Sequence, residues 1–189
     1  MYGGLAFVLR VCPNKNKIIL LDRKNGKIEL YKKNRLAIYN GLLVNYHGNE
    51  KQIVIVECLP SGVKFNQVQL SFYHLILEIC LNFIPLGMLC PEIFDLIYFI
   101  YFSFHLLETS ISKKILIYKM LCLLGLGPDS CKYSHLSKLL FIPIDIIVMH
   151  HIDLEFEKEL NIFIKESLDL YPSIYKFKTK FFLKEIGVL

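Results

Sequence analysis

The spacing of apolar residues changes once along this 189-residue chain, at Pro60-Ser61-Gly62, and the change separates a strand-rich segment from a helix-rich one. Before it, residues 5–11, 17–22, 27–31, 42–47 and 52–59 are short runs of β-branched, aromatic and aliphatic side chains. Turn signals separate them at Pro13-Asn14, Asn25-Gly26, Asn40-Gly41 and Gly48-Asn49. Asn25-Gly26 predicts a type I′ hairpin, which needs positive φ at both central residues. Five strands in a segment this short suit a small closed barrel, with a five-stranded OB-fold leading. A small sandwich or an SH3-like barrel gives nearly the same pattern.

After the break the apolar period becomes helical. Residues 71–84 predict one helix, and Pro91 opens a second over 92–108, where a first helical turn tolerates proline. A third covers 112–124, with Ser112 as N-cap and Gly125 just past its end. The apolar run 139–149 is broken by Pro143 and reads as extended. Asp153 caps a helix to about Asp169, and Pro172 opens a last one ending near Gly187. The expected fold is therefore α+β, with an OB barrel over 1–67 and a helical bundle over 68–189, and no internal repeat.

A mean hydropathy of +0.43 makes a membrane span the first thing to test. A spanning helix needs roughly 20 nearly uncharged residues. The most apolar region, 72–107, is interrupted by Glu78, Pro85, Pro91, Glu92 and Asp95, which leaves uncharged stretches of 13 and 12 residues at 79–91 and 96–107. Both suit buried helices. The first eleven residues do not read as a secretory signal, and none of the six cysteines forms a Cys-x-x-Cys pair. A soluble, cytoplasmic protein with reduced thiols is expected.

Charge divides the chain more sharply than its net +5 suggests. Residues 1–67 hold 11 Lys/Arg against 4 Asp/Glu, a balance of +7, whereas 68–131 carry −2 and 132–189 are neutral. Arg10, Lys15, Lys17, Arg23, Lys24, Lys27, Lys32, Lys33 and Arg35 are the candidate phosphate contacts. Tyr31, Tyr39 and Tyr46 are candidate stacking platforms for bases. Signatures of catalysis are missing: the sequence has no Gly-x-Gly-x-x-Gly, no phosphate-binding loop and no Gly-x-Ser-x-Gly. Cys131 and His135 read as loop residues rather than a nucleophile and its base. His150-His151 lacks a further ligand at metal-binding spacing. The acids Asp153, Glu155, Glu157 and Glu159 suit the positive end of a helix better than a cation. No enzyme, metal or cofactor is expected.

In order, these features resemble the RecO family of recombination mediators. Ala6-Phe7-Val8-Leu9-Arg10 is similar to the family's first barrel strand, and Lys17-Ile18-Ile19-Leu20-Leu21-Asp22 followed by Arg23-Lys24-Asn25-Gly26-Lys27-Ile28 resembles its second strand, basic turn and third strand. The stretch 117–129, ending Leu124-Gly125-Leu126-Gly127-Pro128-Asp129, is similar to a core helix closing in a Pro-Asp turn. YPSIYKFKTKFFL at 171–183 resembles the family's final helix. Two departures stand out. The barrel is trimmed between Arg35 and Leu42. Only Cys131 occupies the region where some members hold a four-cysteine zinc site, the loop there having contracted to 132–137.

The resemblance implies a non-catalytic protein of recombinational DNA repair. Such a protein binds single- and double-stranded DNA, promotes annealing, and works with RecR to load RecA onto DNA coated by single-strand-binding protein. It also implies that the helical region receives the acidic, Phe-ending tail of single-strand-binding protein, with Lys113, Lys114, Lys176 and Lys178 as candidates for its rim. Two alternatives stay open: an adaptor for RecR or single-strand-binding protein with weak or lost DNA binding, and a peripheral membrane protein.

Overall fold

The computed structural model describes residues 2–33, 37–49, 51–62, 64–103, 107–129, 132–139, 154–170 and 177–189. Arg35, Cys131, Pro143, His150, His151, Asp153, Pro172 and Lys176 lie outside the described residues, as does nearly all of the run expected to be extended at 139–149. The chain falls into two compact units, Met1–Phe102 and Ser103–Leu189. The switch from strand to helix falls between β5, ending at Leu59, and a helix starting at Gln67, after the Pro60-Ser61-Gly62 break read from the sequence. The first unit nevertheless runs on to residue 102, because its two helices bury residues of the barrel wall.

Five strands build the first unit: β1 (Tyr2–Cys12), β2 (Lys17–Asp22), β3 (Gly26–Lys32), β4 (Leu43–Gly48) and β5 (Gln52–Leu59). They close in the order β1-β2-β3-β5-β4, with β3 and β5 parallel and the other neighbours antiparallel, which is an OB-like barrel. Period-two alternation puts Ile18 and Leu20, Val44 and Tyr46, and Ile53 and Ile55 inside. In β1, however, Ala6, Phe7, Val8 and Leu9 are all buried in succession. Both faces of that strand are therefore covered. Phe7 meets Phe94 and Tyr101 of the helical layer at ring-centroid distances of 5.1 and 5.6 Å. Bulges between Val8 and Arg10 and between Asn45 and Tyr46 bend the long strands into closure.

The turn between β2 and β3 differs from the expected type I′ turn. Of Asn25 and Gly26 only Gly26 has positive φ, at 72°, and Asp22 pairs directly with Gly26 across a three-residue loop. The reason is the Asp22 carboxylate. Its Oδ1 accepts from the Lys24 and Asn25 backbone N–H groups (2.8 and 2.6 Å) and from Asn25 Nδ2 (2.8 Å), which holds the loop as an Asx turn.

Helices α1 (Gln67–Phe83) and α2 (Pro91–Ser103) complete this unit. The expectation of a start at residue 71 is corrected. Asn66 and Gln69 form a reciprocal capping box, with Asn66 Oδ1 accepting from Gln69 N (2.8 Å) and Gln69 Oε1 from Asn66 N (2.9 Å). Asn66→Ala is expected to lower the stability of the protein by about 1 kcal/mol, the usual worth of such a cap. The urea unfolding midpoint measures it.

The second unit contains α3 (Ser110–Leu123), α4 (Ser134–Leu139), α5 (Leu154–Asp169) and α6 (Lys180–Glu185). Thr109, not Ser112, is the N-cap of α3; its Oγ1 accepts from Ser112 N at 3.1 Å, so Ser112 sits one turn inside. Gly125 follows the C-cap as expected, and the Leu126 N–H reaches back to Leu121 O (2.9 Å) in a Schellman closure. Tyr118 and Tyr133 meet Phe163 of α5 edge-on at 5.3 and 5.5 Å. The last helix begins at Lys180, later than the sequence suggests.

Candidate nucleic-acid interface

Closure of the barrel between β3 and β5 rests on only two pairs, Tyr31↔Gln52 and Lys32↔Ile53. The end of β3 is therefore fastened by loop backbone as well. Tyr31 N donates to Lys51 O (2.9 Å), Lys32 N to Asn16 O (2.8 Å) and Lys33 N to Ile53 O (2.9 Å). Asn49 holds the adjoining turn, its Oδ1 accepting from Lys51 N and Gln52 N, both at 3.0 Å. These bonds bring the β1–β2 turn, the end of β3 and the β4–β5 turn to one end of the barrel. Exposed Lys15, Lys33 and Lys51 come together there, with Lys32 half-buried among them.

Side chains paired across strands share a face, so Lys17, Tyr31 and Gln52 form one outward row over β2, β3 and β5. Lys17 Nζ lies 5.3 Å from the centre of the Tyr31 ring and pairs with Glu29. The hydrogen bond and charge of Glu29 raise the Lys17 pKa and offset part of its charge. Tyr31 is 49% exposed, a ring open to stacking. Tyr39 is more exposed still. Tyr46 is corrected as a stacking candidate: it is buried, and its hydroxyl donates to Asp22 Oδ2 at 3.0 Å.

Arg10 is exposed on β1 opposite Ile19, two residues from the Cys12–Lys17 pair, whereas the other basic candidates go elsewhere: Lys24 is exposed at the far end of the β2–β3 ladder. Arg23 makes a two-point ion pair with Asp95 of α2 (2.8 and 2.9 Å), tying the β2–β3 turn to that helix. Lys27 is corrected outright: it is buried, and its ammonium donates to Leu81 O and Ile84 O at the end of α1. There it satisfies carbonyls that the helix leaves open, and burial lowers its pKa. Lys51 was missed because one lysine in a turn carries no signal until the strand order places that turn beside β3.

The proposed rim for a peptide tail is not assembled from the expected lysines. Lys113 and Lys114 are buried, since α3 is covered continuously from Ser112 to Tyr118. Their aliphatic stems run through the core and their ammonium groups emerge at Glu108 O (3.3 Å) and Glu157 respectively. Lys178 is exposed. The acids expected at a helix start also find partners, Glu157 with Lys114 and Glu159 with His135 Nδ1 (2.9 Å). Among the described residues no three His, Cys, Asp or Glu side chains converge as a metal site, and no helix is long and apolar enough to cross a membrane. No protein-family model matches the sequence, and no match was found among curated proteins.

Proposed function

We propose that this protein is a non-catalytic, cytoplasmic DNA-binding mediator of recombinational repair, RecO-like in plan. Its OB-fold end binds single- and double-stranded DNA and promotes annealing, and its partners are RecR and single-strand-binding protein during RecA loading. One observation carries the reading: strand order gathers Lys15, Lys33 and Lys51 around Lys17 and Tyr31 at one end of an OB-like barrel. Lysines there displace counterions from phosphates, and the tyrosine offers a face to any base. An adaptor with weak DNA binding is the second reading. It is favoured by the burial of Lys27 and by the pairing of the exposed Arg23 with Asp95, which leave less uncompensated positive charge at the surface than the sequence promises.

Single-stranded DNA binding at two salt concentrations tests the proposal. Affinity is expected to fall with salt, and Lys15, Lys33 and Lys51 replaced together by Ala should flatten the log–log slope by about 2, at roughly 0.7 per phosphate contact. Lys24→Ala, at the other end of the ladder, should change little. Equal salt slopes for the triple variant and the parent sink the barrel-end assignment. Absence of DNA binding alongside retained pull-down of RecR or single-strand-binding protein selects the adaptor.

A further inference from the structure

The lysine row contains its own counter-charge. Glu29 stands two residues before Tyr31 on β3, on the same outward face and diagonal to Lys17 of β2, a spacing that long side chains bridge. There its Oε1 accepts from Lys17 Nζ at 2.5 Å. The same ammonium lies 5.3 Å from the centre of the Tyr31 ring, so one cation is shared between an acid and a ring. Neither side of the pair is buried: the Lys17 and Glu29 side chains are 31% and 33% exposed. Ion pairs this open hold weakly, because water and salt compete for both charges. Lys15, Lys33 and Lys51 beside them are exposed. A carboxylate set in such a row opposes phosphate binding twice, by repulsion and by occupying a lysine, while contributing little to the fold.

We propose that Glu29 is an internal competitor for the phosphates of a bound strand: it holds Lys17 beside Tyr31 in the free protein and yields it to a phosphate on binding. The exchange links the two halves of the site. As Lys17 turns from Glu29 to the strand, the Tyr31 ring loses its cation and opens on that side to a base. The ammonium keeps its proton throughout. The Glu29 hydrogen bond raises its pKa, and binding replaces one anionic partner by another. Glu29, once released, takes up a cation from solution, so the net ion release from this contact is small. The strand is therefore held less tightly, and leaves sooner, than the number of lysines implies. The inference rests on strand binding at the barrel end and adds the residue that limits it.

A double-mutant cycle on Lys17 and Glu29 tests it, read by fluorescence anisotropy of a labelled oligothymidylate over a series of salt concentrations. Glu29→Gln is expected to tighten binding about threefold, the scale on which exposed ion pairs act, and to steepen the log–log salt slope by about 0.7, one phosphate contact no longer cancelled. Lys17→Ala alone should weaken binding by about twofold at most, because the lysine gives up one partner to gain the other. In the Lys17→Ala background the gain from Glu29→Gln should vanish. Melting temperatures should move little in all three variants, since both side chains lie on the barrel's outer face. A gain of the same size with and without Lys17 makes Glu29 a repelling charge only and overturns the exchange. No gain from Glu29→Gln overturns it too, while the barrel-end reading stands on its triple lysine variant. Oligomer binding that neither salt nor that triple variant weakens, or no binding at all, overturns both. Inorganic phosphate that, at matched ionic strength, displaces the oligomer from the parent but not from Lys17→Ala makes a free oxyanion the ligand and overturns the strand.

Discussion

Replacing Asp22 by alanine is expected to destabilise the protein by about 3 kcal/mol, more than any substitution among its surface lysines. Asp22 is buried, and four hydrogen bonds end on its carboxylate: two backbone N–H groups and a side-chain amide of the β2–β3 turn, and the Tyr46 hydroxyl inside the barrel. Bonds to a charged acceptor contribute roughly 1.5–3 kcal/mol each, and the partly exposed turn recovers some of its share from water. Graded variants separate the two duties. Asp22→Asn keeps one carbonyl oxygen for the turn and should cost about 1 kcal/mol; Tyr46→Phe removes only the interior bond and should cost a similar amount. Urea unfolding followed by circular dichroism reads all three. Equal midpoints for Asp22→Ala and Asp22→Asn would falsify the role given to the turn.

Asp22 also shows what sequence reasoning reaches and where it stops. The strands were legible because their periodicity is local: Ile18 and Leu20, or Ile53 and Ile55, alternate inward within a few residues of one another. The hairpin at Asn25-Gly26 was legible as a turn, but its type was not. A side chain three residues before Asn25 changed the loop, and that carboxylate reads from sequence as ordinary surface charge. The capping box at Asn66 and Gln69 is local in sequence, but the residues it caps, Gln67 to Ser71, carry little apolar periodicity, so apolar spacing alone starts the helix at residue 71.

Charge was less legible than pattern. A lysine count cannot distinguish an ammonium in water from one that emerges at a helix end after a buried stem, as in Lys27, Lys113 and Lys114. Arg23 finds Asp95 across 72 residues of sequence, and Lys51 reaches β3 only through the parallel β3–β5 pairing. The candidate interface is thus smaller than the basic segment and better placed. Lys15, Lys17, Lys33 and Lys51 meet at one barrel end, while Arg23, Lys24 and Lys27 are drawn to its other end.

Gly26→Ala is expected to be about as damaging as the loss of Asp22, and for a separable reason. A Cβ at this position would stand 1.9 Å from Met88 O and 2.5 Å from Met88 C, both backbone atoms. Neither can rotate away. The segment after α1 lies against β3 here, with Gly87 N donating to Lys27 O (2.7 Å) and Lys27 N to Met88 O (3.3 Å). A methyl group forces that segment off the strand and removes two backbone bonds of about 1 kcal/mol each. Positive φ adds roughly 1–2 kcal/mol. The sum is about 3–4 kcal/mol, a large part of the roughly 5–15 kcal/mol that holds a typical domain folded. Gly62 supplies the control, because its φ is also 72° and nothing stands within 4 Å of its Cβ position. Gly62→Ala should lose only the backbone strain, near 1 kcal/mol. Thermal melts of the two variants side by side decide the matter: equal shifts would remove the close approach to Met88 as the cause. Since the lysine row lies at the opposite end of the β2–β3 ladder, Gly26→Ala kept well below its melting temperature should still bind single-stranded DNA like the parent.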